Sequence, residues 1–186
     1  MKRATAVLIG GPPATGKSTL ATALAPEMGA ALLDLDAATG PLTRVVSGLI
    51  GVRDLEDPVL AGLTRDARYD TLLQLADANL RAGLPVVLVA PFSRERAEPS
   101  AWAATARRLA TDPTMVWLYL PPQELIRRLT RRALSRASRS RHTRIASSTL
   151  CCKKGTCGRL DPRLQISYIC RRVAVGMSYG CNNWPV

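Results

Sequence analysis

The chain has 186 residues, enough for one domain with a sizeable core. Hydrophobic residues make up 47% and charged residues 22%, an ordinary globular balance, and no apolar run reaches bilayer-spanning length, so a cytoplasmic protein without a membrane partner is expected. The net charge of +12 invites a nucleic-acid reading, but it is lopsided: residues 1–134 carry 16 Lys/Arg against 13 Asp/Glu, whereas residues 135–186 carry 10 against 1, so a nucleic-acid partner is not expected.

Met1-Lys2-Arg3 followed by Ala6-Val7-Leu8-Ile9 imitates an export signal, but the apolar run is too short. Thr5–Ile9 instead suits a buried parallel strand ending at Gly10-Gly11. Thr19–Met28 reads as a helix closed by Gly29, and Ala31–Asp34 as a second strand. Between Thr39 and Asp66, where substrate specificity would reside, no pattern can be decoded. Asp66–Arg81 carries Tyr69, Leu72, Leu73, Ala76 and Leu80 at helical spacing and stops before Gly83. Val86–Ala90 is a third strand, Ala97–Ala110 a helix, and Met115–Leu120 a fourth strand. Pro121-Pro122 opens a further helix over Gln123–Leu134. Strands alternating with helices predict an α/β fold with a parallel sheet covered on both faces, with ligands at the carboxyl ends of the strands.

Gly11-Pro12-Pro13-Ala14-Thr15-Gly16-Lys17-Ser18 matches the phosphate-loop pattern G-x-x-x-x-G-K-[ST] in full. The glycines allow a tight turn that points successive N–H groups at phosphate oxygens. The helix that follows presents its positive end to the same anion. Lys17 is expected on the β- and γ-phosphates, Ser18 on Mg²⁺ and Thr19 at the α-phosphate. The expected nucleotide contacts are Gly11, Ala14, Thr15, Gly16, Lys17, Ser18 and Thr19, and the ligand is a purine nucleoside triphosphate, ATP, with Mg²⁺.

Asp34 and Asp36 lie two apart at the end of the second strand, where extended chain would put both on one face. One could hold a magnesium-bound water while the other accepts a proton from a substrate hydroxyl; Asp34 is taken for the metal role and Asp36 for the catalytic one. The third strand ends without the acid that P-loop ATPases usually place there, which shifts that duty toward this pair. Arg127/Arg131 and Arg128/Arg132 form two stripes at i, i+4 that can neutralise phosphoryl charge, and Arg68 is a weaker candidate for a phosphate or acidic-substrate contact.

The cysteines Cys151, Cys152, Cys157, Cys170 and Cys181 all fall in the last 36 residues, at spacings that fit neither zinc nor a disulfide framework. Residues 141–186 read as an atypical basic tail, poorly ordered and derived from a frameshifted or fused frame, with Leu164–Ile169 the one stretch resembling a strand. No role is assigned to His142.

With these motifs in hand, residues 4–136 resemble the small bacterial P-loop kinases of the gluconate kinase, shikimate kinase and chloramphenicol phosphotransferase type, whose relatives include predicted kinases labelled AAA family ATPases. The resemblance rests on the P-loop, on Asp34-Leu35-Asp36, on Val86–Phe92 and on Trp117–Leu125 running into Arg128 and Arg132. It implies the three-layer α/β/α P-loop NTPase fold, nucleoside-kinase-like. It also implies a domain over residues 1–140 and an arginine-bearing lid near 123–140. The site would then consist of Lys17, Asp36, Arg128 and Arg132 as catalytic residues, with Ser18 and Asp34 at the metal. The implied activity is transfer of the ATP γ-phosphate to a hydroxyl of a small molecule. The alternatives are a nucleotide-binding ATPase without such an acceptor, or an inactive kinase fragment with an aberrant C-terminus.

Overall fold

The computed structural model describes residues 4–54, 57–142 and 165–169. The elements are β1 (Ala6–Gly10), α1 (Lys17–Glu27), β2 (Ala31–Asp34), α2 (Leu35–Leu49), α3 (Pro58–Arg81), β3 (Val86–Val89), α4 (Ser93–Ala97), α5 (Pro99–Leu109), β4 (Thr114–Tyr119), α6 (Pro122–His142) and β5 (Gln165–Ile169). They form one sheet in the order β2-β3-β1-β4-β5. The first four strands are mutually parallel, with Leu8 beside Leu88 and Met115, and Leu33 beside Leu88.

Side chains alternate across a strand, so each strand feeds two cores. Leu8, Val86, Leu88, Met115 and Trp117 face one side, where they meet Leu72, Leu73 and Ala76 of α3 and Trp102 and Leu109 of α5. Ile9, Val87, Val89, Val116 and Leu118 face the other, where they meet Ala21 and Ala25 of α1. This is the expected three-layer α/β/α arrangement, and β3 is buried along its whole length.

Several boundaries differ from the sequence reading. Helix α3 begins at Pro58, eight residues before Asp66, because Asp57 caps it: its carboxylate accepts from the N–H groups of Val59 and Leu60. The helix expected over Ala97–Ala110 starts at Pro99, as α5, and a short unexpected helix, α4, precedes it and ends at Ala97, parted from it at Glu98. Helix α6 runs past its expected end at Leu134, to His142.

Helix α2 was not foreseen. Its buried face is Leu35, Thr39, Thr43 and Ser47, spaced by four. The hydroxyls of Thr39 and Thr43 donate to the carbonyls of Leu35 and Thr39, and Ser47 donates to Val52, so no polar atom is left bare against α3. Leu42, Val45 and Leu49 point outward instead. The usual pattern is inverted, and Gly40-Pro41 inside the helix adds a false break signal.

Strand β5 lies within the stretch taken as a tail. It pairs antiparallel with β4, Gln165 opposite Tyr119 and Ile169 opposite Met115. The sheet is therefore mixed rather than wholly parallel. The five cysteines and the remainder of 143–186 lie outside the described residues, and with them the expectation of poor order there.

Candidate active site

The P-loop is shaped by three left-handed backbone positions: Gly11 (φ 137°), Ala14 (φ 64°) and Gly16 (φ 95°). Gly11 is obligatory on steric grounds too, since a Cβ there would sit 2.5 Å from the carbonyl oxygen of Leu118 on β4. Thr15 is fully buried and donates its hydroxyl to the Pro12 carbonyl at 2.8 Å, which ties the loop into a ring. Gly16 is the N-cap of α1, so the helix opens directly beneath the loop. Lys17 turns its Nζ inward to the carbonyls of Gly11 (2.9 Å) and Pro12 (2.8 Å). Burial, and secondarily the charge of Arg132, lower its pKa from the ordinary 10.5, against opposing contributions from Asp36 and Asp34.

Opposite the loop, β2 stops at Asp34 and the chain turns at once into α2. Asp34 Oδ1 accepts from the N–H groups of Asp36 (2.9 Å) and Ala37 (3.3 Å) as the helix N-cap. This fixes the carboxylate with Oδ2 toward Ser18, whose Oγ donates to it at 2.9 Å. Asp36 therefore lies in the first turn of a helix rather than two residues along a strand, and the shared-face argument from extended chain does not apply. It still reaches the same cavity, where its Oδ1 meets Arg68 Nη2 at 2.5 Å. Arg68 Nε donates to Thr39 Oγ1 at 2.8 Å, which orients the guanidinium.

The resulting cavity holds about 800 Å³. Ala14, Gly16, Lys17, Ser18 and Thr19 form its floor. Asp34, Asp36 and Arg68 form one wall, and Arg128, Leu129 and Arg132 of α6 form the roof. Arg127 and Arg131 are not among the lining residues, so of the two arginine stripes the one that faces inward is Arg128/Arg132. Glu124 grips the base of this helix, accepting from Arg127 and from Arg128 Nε at 2.7 Å. The hydrogen bonds from these two arginines hold the Glu124 carboxyl down at about 2.

Every catalytic and metal residue singled out from the sequence thus lines one cavity, as does Arg68. Gly11 and Thr15 shape the loop from beneath. Sequence reasoning did not find Thr39, which orients Arg68, or the wall made by Val89, Ala90 and Pro91. The Asp36–Arg68 contact spans 32 residues, and no local periodicity signals it.

A single family model spans residues 7–149, that of the AAA domain. The chain belongs to the AAA domain family. The family's P-loop makes this a nucleotide-binding domain, and its fold is that of the P-loop kinases. Among solved structures, a candidate kinase from Chloroflexus aurantiacus J-10-fl is 23% identical, with a TM-score of 0.58 over 74% of this chain and 71% of its own. A gluconokinase from Sinorhizobium meliloti 1021 (18% identity, TM-score 0.46) covers 71% of this chain and 67% of its own. A sugar kinase from Janibacter sp. HTCC2649 (19%, 0.44) covers 68% and 66%. At these identities the first likeness speaks to the fold alone, and the other two are too weak to bear on an acceptor. No curated protein matches the chain. Among the described residues no helix is long and apolar enough to cross a membrane.

Proposed function

We propose that this protein is an ATP-dependent phosphotransferase acting on a hydroxyl of a small molecule. The observation that carries the reading is the pairing, inside one cavity, of a P-loop with two acids in different settings: Asp34 held against Ser18, and Asp36 held by Arg68.

A hydroxyl and a carboxylate oxygen 2.9 Å apart at the loop's rim are hard donors of the kind magnesium takes alongside phosphate oxygens. Ser18 and Asp34 would hold the ion, which would neutralise phosphate charge. Lys17 and the loop N–H groups would hold the β- and γ-phosphates, and Arg128 and Arg132 would cover the transferred group from above. Asp36, whose side chain is largely exposed to the cavity, would accept the acceptor's hydroxyl proton. The acceptor oxygen bonds to the γ-phosphorus as the bond to the β,γ-bridging oxygen breaks, and ADP leaves with that electron pair. No acid follows β3, where Ala90 and Pro91 stand, so an ATPase mechanism organised from that strand lacks its usual residue.

The test is incubation of the purified protein with γ-labelled ATP, Mg²⁺ and a panel of hydroxyl compounds. Label on an organic product supports a kinase. Label released only as inorganic phosphate, at a rate no acceptor changes, points to an ATPase instead.

A further inference from the structure

Gly11 is held from outside the phosphate loop as well as within it. Its N–H donates to the Pro91 carbonyl at 3.2 Å, which carries the β1–β3 pairing past the ends of both strands. Its own carbonyl accepts from Lys17 Nζ at 2.9 Å. Gly11 thus joins the segment after β3 to the cation of the loop. The Pro91 carbonyl and the Phe92 N–H share one rigid peptide plane. That plane is gripped on both sides, since the Phe92 N–H donates to the Tyr69 hydroxyl at 3.1 Å.

Phe92 is fully buried and stands at φ 47°, a left-handed conformation that a residue with a Cβ keeps only where its surroundings impose it. It is the N-cap of α4, and its carbonyl accepts from the Arg96 N–H at 3.0 Å. Helix α4 has five residues, none of them buried, and is too short to hold together by itself. Arg96 supplies an anchor. Its guanidinium carbon lies 4.5 Å from the centre of the Trp117 ring, within the range of cation–π attraction. Trp117 is the register partner of Gly10, and its ring lies against that residue. A Cβ on Gly10 would come 2.9 Å from Cε3 of the ring and 3.3 Å from Cβ of Phe92. The contacts close a circuit that runs from Gly11 through Pro91, Phe92, Arg96 and Trp117 back to Gly10. Neither Arg96 nor Trp117 lines the phosphate cavity.

Resting on the ATP reading above, we propose that Arg96 and Trp117 are positioning residues for the phosphate loop. Their stacking pins α4 and, through the Pro91–Phe92 peptide, fixes Gly11 and the Lys17 ammonium for the incoming phosphates. Loss of the stack frees α4, lets Phe92 leave its left-handed conformation and turns the Pro91 carbonyl away from Gly11. An exposed arginine outside the cavity thereby controls triphosphate affinity.

The experiment uses the full chain as wild type, Arg96→Gln, Arg96→Lys and Arg94→Gln. Calorimetry reads ATP·Mg²⁺ affinity, and NMR reads amide hydrogen exchange at Gly11 and at Leu8 in the empty protein. Arg96→Gln should weaken ATP·Mg²⁺ by about twofold to tenfold and speed exchange at Gly11, with Leu8 in the middle of β1 unchanged. Arg96→Lys keeps a cation over the ring and should restore most of both. Arg94→Gln removes the same charge from the same helix and should match wild type. Unchanged affinity in Arg96→Gln, or weakened affinity with Gly11 exchanging as before, overturns the inference and leaves the ATP reading intact. So does an equal loss in Arg94→Gln, which makes the effect one of net charge. Equal acceleration at Gly11 and Leu8 also overturns it, because the stack then serves only the stability of the whole fold. A wild type that binds no ATP·Mg²⁺ overturns the ATP reading, and this inference with it.

Discussion

Ser18 and Asp34 meet across the phosphate cavity, the hydroxyl of one donating to Oδ2 of the other at 2.9 Å, while Oδ1 of the same carboxylate caps α2. One side chain thus serves both the helix and the proposed metal position. The two duties separate by substitution. Asn caps a helix about as well as Asp. Asp34→Asn should therefore keep the melting temperature near wild type while raising the Mg²⁺ concentration needed for turnover. Asp34→Ala should lose the cap as well, about 1 kcal/mol. Thermal melts and magnesium titrations on the two variants check this, and equal Mg²⁺ requirements in Asp34→Asn and wild type would remove Asp34 from the metal site.

Lys17→Ala should nearly abolish triphosphate binding, because it takes away the cation nearest the loop. The wild-type pH dependence carries its own signature. Burial lowers the Lys17 pKa, so over the window between its folded value and 10.5 the unfolded chain binds more protons than the folded one. The empty protein therefore gains stability from this group as pH rises across that window. Triphosphate affinity moves the other way, falling as the ammonium of the empty site is lost, a decline that sets in below 10.5. Arginine does not deprotonate, so Lys17→Arg should bind more weakly but lose this alkaline limb. Calorimetric titration at several alkaline pH values distinguishes the two, and a limb that survives in Lys17→Arg belongs to another group.

Asp36→Asn should keep nucleotide binding and lose phosphoryl transfer by about 10²–10⁴-fold, since an amide cannot take the acceptor's proton. A variant as active as wild type would move the base elsewhere.

Thr39 and Thr43 make similar bonds within α2, but only Thr39 also receives the Arg68 Nε–H. Thr43→Val should change stability by less than about 1 kcal/mol, because the hydroxyl it removes bonded only a carbonyl already used by the helix. Thr39→Val should lower kcat/KM more than it lowers the melting temperature, since Arg68 then loses the atom that orients it. Equal effects of the two substitutions on activity would separate Arg68 from the chemistry.

Tyr69→Phe leaves the N–H of Phe92, itself in left-handed backbone conformation (φ 47°), without its acceptor. A loss of about 1–3 kcal/mol is expected from denaturant unfolding. An unchanged midpoint would mean that the N–H finds water instead.

The order of the first four strands' worth of chain, the P-loop and the arginine helix were legible because each carries a local signal: β-rich runs before Gly, a complete phosphate-loop pattern, arginines at i, i+4. Helix α2 was illegible because its core-facing residues are hydroxyl-bearing and its surface carries Leu42, Val45 and Leu49, so periodicity pointed the wrong way. Asp34 and Asp36 were paired for the wrong local reason, as strand neighbours, when a cap and a helix turn bring them together. The antiparallel sense of β5 could not be read from Gln165–Ile169, because strand direction depends on the path of the connection and not on the strand's own residues.

The position of β5 has a consequence for how this protein can change over generations. The cavity is lined by residues between Pro13 and Ala133, and β4 stands between β5 and the strand that carries the P-loop. Strand β5 joins the sheet through β4 alone, one strand removed from β1, so its pairing can change without touching the pairing of β1 with β3 and β4. The phosphate loop has no such latitude, because a single added methyl at Gly11 meets the Leu118 carbonyl. Sequence divergence across relatives of this chain should accordingly be smallest at the loop.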